Sequence, residues 1–449
     1  MSTAAHTFDL VGIGIGPANL SLAALLHGHR GLSTVFVEQN PTFSWHAGLM
    51  LPGTQLQVHY LKDLVTPVDP TNPFSFPAFL VDTRRLYRLL ITGRSRVPRK
   101  EFEEYYRWAA DRLANLRFGV AAREVTWDGE AFVVHTTRGP LRTRNVVSGV
   151  GRRPHLPSCA AGADPDRVFH ASTLRNRPRD FLHRRVAVVG GGQSGAEVVH
   201  HMLSSPTDRP DRIVWGTRRS NLLPLDESPF VNELFLPNYS RYFQSLSNEE
   251  RDTLLDEQRM ASDGVSIELL EALYRRLYDL EFLEDAGCRC RVLADQQLVG
   301  IDDVSGELLL TWRATRTGAT WQDAADIVVC ATGYEHGLPE PLAGLTDRLT
   351  LADGVPVVRS NFSLAFDGPL ENRIFVQNAA RRHFGVADPN LSLVAWRSAV
   401  IVNNLVGYEM YDTGPVSAAL EWGVDEDRKA ENGGPVSPAG LPSQRLEAR

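Results

Sequence analysis

Two stretches of this chain share one grammar, and nothing else in it limits the fold so tightly. Residues 10–20 read LVGIGIGPANL and residues 186–199 read VAVVGGGQSGAEVV. Each is an apolar strand, a glycine-rich turn and the opening of a helix. Such a turn lets backbone approach a pyrophosphate, while the helix offers free N–H groups and the positive end of its dipole. TVFVE at 34–38 completes a βαβ unit after the first turn, and RIVWG at 212–216 does so after the second. The duplication predicts an α/β protein with two Rossmann-like dinucleotide-binding domains.

The two turns differ in detail. In the first, Gly12, Gly14 and Gly16 precede Pro17. Counted from Gly12, the third glycine of GxGxxG falls on Pro17, and proline is tolerated in a helix's first turn. Glu38 stands 26 positions after Gly12 at a strand end, suited to ribose hydroxyls. A glycine motif alone also fits a tight structural turn; its place between strand, helix and acid favours a dinucleotide. The second turn has Gly190, Gly192, Ser194 and Gly195, and its following strand runs into Arg218 and Arg219, read here as replacing Glu38. An acid repels a 2′-phosphate and arginine bonds it, so this site is expected to take NADPH, although two solvated surface arginines would look the same. Two cradles suit a flavin and a nicotinamide, with hydride passing between them. DIVVCATGY at 326–334, with Thr332 and Gly333 in its closing turn, and VVSGVGRRP at 146–154 read as crossings between the nucleotide domains.

Composition removes other classes. The chain has 449 residues, net charge −7, 22% charged and 43% hydrophobic residues, as a soluble protein of two or three domains does. The acidic balance argues against nucleic acid as a partner. No signal peptide or membrane span is expected, because no basic-then-apolar leader and no run of about 18 apolar residues occurs. The four cysteines, Cys159, Cys288, Cys290 and Cys330, make no CxxC pair. Cys288 and Cys290 read as loop thiols, and the compartment as reducing and cytoplasmic. Thirteen histidines contain no HExxH, and no metal site is expected. His200 and His201 fall in the second cradle's helix as packing or solvent-facing residues.

Apolar spacing predicts a helix over 101–116 and a β-meander over 123–150. A first FAD-binding part is expected over 1–165, and an NADPH-binding domain over 166–335. The charged helical stretch about 224–285 would form a small, mostly helical substrate lobe. The chain would return to the first domain over 336–424, with a last helix from near Leu391 and a disordered tail over 425–449.

Disulfide reductases are excluded, since no cysteine precedes Cys159. The FxGxxxHxxxW stretch of Baeyer–Villiger enzymes is missing, although VFHASTLRNRPRDF keeps His170. From about residue 8 to 406 the sequence resembles the N-hydroxylating flavoprotein monooxygenases of siderophore biosynthesis, the lysine and ornithine N-monooxygenases. The resemblance is carried by GIGIGPANLSLA, by WHAGLMLPGTQLQVHYLKDLVTPVDPTNPFSF at 45–76, by PLDESPFVNELF at 224–235, by DIVVCATGY and by HFGVADPNLSLVAWR at 383–397.

That resemblance implies FAD, NADPH and O2, a flavin C(4a)-hydroperoxide, and hydroxylation of a terminal amine later acylated to an iron-binding hydroxamate. A free lysine amine has a pKa of about 10.4, so the site must favour its neutral form. No acid–base residue set is required, because the flavin carries the chemistry. Gln57 and Lys62 would lie beside flavin and substrate, with Lys62 pairing a substrate carboxylate. Asn232 would bond the amino-acid head, Ser392 would lie near both, and Trp45 and His46 would pack on the flavin. A surface lysine, a turn asparagine and a capping serine are the plainer readings of Lys62, Asn232 and Ser392. The substrate segments look like the lysine branch, giving L-lysine or its decarboxylation product cadaverine ahead of putrescine or L-ornithine. A dimer or tetramer is also implied. Two rival readings are an S-oxygenating or Baeyer–Villiger enzyme and a silent NADPH- or flavin-binding regulator.

Overall fold

The computed structural model describes residues 6–176, 180–284, 288–335 and 337–423; the expected tail at 425–449 lies outside them. Thr7–Ile13 sits between Thr34–Glu38 and Gly139–Ser148 and is parallel to both. The sheet runs Leu116–Phe118, Thr34–Glu38, Thr7–Ile13, Gly139–Ser148, Phe132–Thr136, Ala122–Trp127. The expected meander is therefore continuous with the first nucleotide sheet. Its long last strand pairs antiparallel with Phe132–Thr136 through residues 139–143 and parallel with Ile374–Val376 through residues 146–148. Helix Arg99–Ala110 stops short of residue 116. It buries Phe102, Tyr105, Tyr106 and Ala109 against Phe76 and Phe79, as their helical spacing dictates.

The second sheet is wholly parallel, in the order Arg289–Leu293, Arg212–Gly216, Arg185–Val189, Ile327–Cys330, Val168–His170. Parallel strands buried on both faces read as continuous apolar runs, as IVVC and VAVV do. A three-stranded antiparallel sheet, 296–325, packs Leu310 and Trp312 against Val189 and Val214. Cys290 is not a loop thiol: it belongs to the edge strand, where burial pushes its pKa up to about 12.

The helical stretch expected as a lobe has no core of its own. Helix Pro237–Ser245 buries Tyr239 and Phe243 in the first core. Helix Ile267–Phe282 lays Leu273 and Leu280, two turns apart, on the second core. The cores are also tied by Arg99, whose guanidinium donates to both carboxylate oxygens of Glu197 at 2.9 and 2.7 Å. Among the described residues no helix is long and apolar enough to cross a membrane, and no His, Cys, Asp and Glu cluster could hold a metal.

Candidate active site

From strand through turn to helix the two cradles match at a shift of 176 residues, and the strands that follow match at a shift of 179. Ile13 O accepts the Gly149 N–H at 2.8 Å, and Val189 O accepts the Ala331 N–H at 2.7 Å. Gly14 donates to Val37 O and Gly190 to Gly216 O, each at 2.8 Å. The helices begin at Pro17 and Gln193, behind Gly16 and Gly192.

This register moves three assignments. Gly12 lies inside the strand, where a Cβ would stand 2.0 Å from the Phe36 ring, so it serves packing. The third glycine position is Asn19, not Pro17; Pro17 is the helix's first residue. Gly195 must be small, since a Cβ would lie 2.1 Å from Gly190 O. Asn19 instead donates its Nδ2 to Gly14 O at 2.8 Å and Ile13 O at 3.1 Å. Finally, Val37 matches Gly216, so the residue opposite Glu38 is Thr217, with Arg218 and Arg219 one and two places beyond.

The residues fit two pyrophosphates. Gly14 and Gly190 have φ of +83° and +127° and lie against the crossing segments, where a Cβ would meet Gly149 O at 2.8 Å and Ala331 O at 2.1 Å. Gly16 and Gly192 are different: the nearest atom to an added Cβ is 3.8 Å away in each case. No side chain caps either helix. Each cradle therefore keeps an open glycine beside uncapped helical N–H groups, the geometry an anion requires. Glu38 takes the Ile15 N–H at 2.9 Å, and its other oxygen takes the Asn40 N–H at 2.9 Å. Arg218 is exposed, whereas Arg219 donates to Asp263 O at 2.8 Å. At the second crossing the Thr332 hydroxyl donates to His155 O, and Gly333 O accepts from His170 Nε2 at 2.9 Å. The Trp45 and His46 rings lie 4.9 Å apart, with His46 in the left-handed region at φ 49°. His46 is exposed at the surface although protein atoms crowd around its ring. Burial, then Arg99 and Arg152, push its pKa down to about 4, so it is neutral at pH 7.

The expected substrate residues converge. Asp63, fully buried, accepts the N–H groups of Val65, Thr66 and Phe76 at 2.9, 2.7 and 2.6 Å. The turn so fixed aims Lys62 Nζ at Ser392 Oγ, 3.0 Å away. Burial lowers the Lys62 pKa, and no carboxylate of the described residues pairs with it. Ser392 lines a cavity with Gln57, Asn232, Arg152, Glu227 and Arg381. Gln57 Nε2 is shielded and without a hydrogen-bond partner. Asn232 donates its Nδ2 to Glu227 O at 2.9 Å and Ser228 O at 3.2 Å, which leaves its Oδ1 for the cavity. Behind Ser392, the buried Arg397 pairs with Asp388 at 3.0 Å and donates to Gln377 Oε1 at 3.1 Å. Gln377 in turn donates to Asn19 Oδ1 at 2.8 Å, so one buried network joins the first cradle to the substrate wall.

The family model for L-lysine 6-monooxygenase/L-ornithine 5-monooxygenase matches residues 6–336. This chain belongs to that family. The L-lysine N6-monooxygenase of Escherichia coli is 38% identical over 418 residues, covering 92% of this chain and 98% of that protein. A crystal structure of the FAD-bound cadaverine monooxygenase of the desferrioxamine pathway from Erwinia amylovora has a TM-score of 0.86 at 29% identity, covering 94% of this chain and 99% of that one. The ornithine N-hydroxylase of Kutzneria sp. 744, solved with reduced FAD, NADP+ and L-ornithine, has a TM-score of 0.82 at 28% identity, covering 90% and 99%.

Within this N-monooxygenase, sequence reasoning missed Asn19, Asp63, Arg152, Glu227, Arg381 and the Asp388–Arg397 pair. Asn19, Asp63, Glu227, Asp388 and Arg397 sit inside the segments that carry the resemblance. Their roles depend on partners up to several hundred positions away, as from Asn19 to Gln377.

Proposed function

We propose that the chain hydroxylates the side-chain amine of L-lysine, using FAD in the first cradle and NADPH in the second, to supply hydroxamate siderophore synthesis in the cytoplasm. The observation that carries this reading is Lys62: a half-buried ammonium that bonds a neutral hydroxyl and lacks an anion. A buried charge without a partner is costly, and a substrate carboxylate would supply one. The chemistry supplied by bound FAD is activation of O2 with two electrons from NADPH. One oxygen atom goes to the amine nitrogen and the other leaves as water. Gly16 and Gly192 give the pyrophosphates access to helical N–H groups. Lys62 and Ser392 orient the substrate head. Loss of water around the bound side chain favours the neutral form of the reacting amine. Cadaverine is the second reading, favoured by the likeness to the Erwinia amylovora enzyme.

The test is hydroxylamine formation from L-lysine, cadaverine, L-ornithine and putrescine, and sulfoxide formation from a thioether, with NADPH consumption recorded alongside. L-Lysine should give the largest kcat/KM. Lys62→Ala should raise the KM for L-lysine while leaving cadaverine unchanged. Preference for cadaverine in the wild type would replace the first reading by the second, and oxygenation of the thioether alone would sink both.

A further inference from the structure

The cavity beside Lys62 has a second unmet demand, of opposite sign. Glu227 sits in the DESPF turn at its rim and gives one oxygen, Oε2, to Arg96 at 3.0 Å. Its other oxygen, Oε1, is shielded from solvent and has no hydrogen-bond partner among the described residues. A carboxylate oxygen so placed loses its hydration without return. The neighbouring Asn232 can present only an acceptor, because its amide N–H2 is spent on the carbonyls of residues 227 and 228. Asp226 adds a third acceptor, its Oδ1 receiving the Ser228 N–H at 3.0 Å. This wall thus offers acceptors, while Gln57 and Arg381 line the same space as donors and Lys62 stands behind Ser392 at its edge.

We propose that Glu227, with Asn232 Oδ1, binds the non-reacting ammonium group of the substrate and so selects amines that carry a second, charged nitrogen. The inference rests on the amine-hydroxylase reading above. A primary ammonium has three donors and fits two converging acceptors, one of them charged. In L-lysine that ammonium is the α-amino group, with Lys62 taking the carboxylate. In cadaverine it is the far amine.

The experiment pairs substrates that differ only in this nitrogen: L-lysine with 6-aminohexanoate, and cadaverine with pentylamine. The FAD-loaded enzyme is assayed for hydroxylamine product, and binding is read separately by calorimetry on the FAD–NADP+ complex. The wild type should favour the member with two nitrogens in the preferred pair by about 10- to 100-fold in KM and Kd, the range of a hydrogen bond to a charged group. Glu227→Gln should collapse that ratio toward one by weakening the diamine or lysine while leaving the partner unchanged. Glu227→Asp should restore part of it. Equal use of both members by the wild type would overturn the assignment, and this arm needs no variant to fold. Equal weakening of both members in Glu227→Gln would also overturn it, leaving Glu227 as a support for Arg96. Absence of product from every amine would instead defeat the underlying reading, while the calorimetric ratio would still decide the role of Glu227.

Discussion

The two cradles obey one plan at a shift of 176 residues and then depart from it at two points. At the third glycine position, the second cradle has Gly195 and the first has Asn19. At the end of the following strand, the first has Glu38 and the second Thr217. Both departures change where a carbonyl or N–H finds its partner. Gly190 O is satisfied by the Trp215 indole N–H at 2.8 Å, arriving from the next strand. Gly14 O is satisfied by Asn19, from within the same turn. The carbonyl of the second turn is thus closed from its own sheet, whereas the first turn is bolted through Asn19, Gln377 and Arg397 to the wall of the cavity. A site that holds the reacting flavin gains from this rigidity, because orientation is much of what the protein contributes.

The harshest test separates glycines that pack from glycines that face a ligand. Gly190→Ala puts a Cβ 2.1 Å from a backbone carbonyl at φ +127°, and neither can yield. Strain and overpacking together reach about 6 kcal/mol at the upper end, enough to unfold the second unit. Gly16→Ala and Gly192→Ala meet nothing closer than 3.8 Å and should fold within about 1 kcal/mol of wild type. They should nonetheless lose cofactor, Gly16→Ala the flavin absorbance and Gly192→Ala the NADPH affinity. Thermal melts and flavin spectra decide this; a Gly192→Ala protein as unstable as Gly190→Ala would mean that neither glycine faces a ligand.

Next in size is the bolt itself. Asp388→Ala leaves the Arg397 guanidinium buried at 1% side-chain exposure without its anion. Breaking a buried pair from one side costs about 3–5 kcal/mol. Denaturant unfolding should show that loss, together with weaker flavin retention and unchanged NADPH affinity. Equal loss of both cofactors would contradict the idea that this network serves the first cradle alone.

Asn19→Gly makes the first cradle conform to the second. The glycine would fit, yet Gly14 O and Gln377 Nε2 would lose the partner Asn19 gives them, while Ile13 O would keep the Gly149 N–H. Leaving such buried groups unpaired costs about 1–3 kcal/mol. The variant closest to the common motif should therefore be the less stable protein. A stability gain in chemical denaturation would show that Asn19 is only a space filler.

Asn19 also marks the limit of what sequence could reveal. Strand, turn and helix were legible in both units because apolar runs and glycines are local signals. The count inside GIGIGPAN was not, since three alternate glycines admit two registers, and only the end of the strand at Ile13 chooses between them. Gln57, Asn232 and Ser392 line one cavity, and Lys62 reaches Ser392 at its wall. Glu227 stood in plain view, but its missing partner is a fact of packing that no spacing encodes. The same holds for the helical stretch at 224–285. Its amphipathic pattern predicted helices correctly and could not say that they would divide between two cores.

The smallest effect concerns the second departure. In the first cradle Glu38 reaches back to the Ile15 N–H; in the second, Thr217 packs where a Cβ on Gly191 would stand 2.5 Å from its Oγ1. No acid stands at the position of Glu38, and the two arginines beyond are unequal. Arg219 is half-buried and already donates to Asp263 O at 2.8 Å, and burial lowers its pKa. Arg218 is exposed and has no hydrogen-bond or ion-pair partner among the described residues. Arg218→Ala should therefore raise the KM for NADPH about tenfold, about 1.4 kcal/mol, and leave the KM for NADH unchanged. Arg219→Ala should do less to that preference and more to the packing around Asp263. If Arg219→Ala proves the stronger discriminator in paired NADPH and NADH titrations, the guanidinium that reads the phosphate is the one now held by Asp263, and the cofactor must displace that bond to bind.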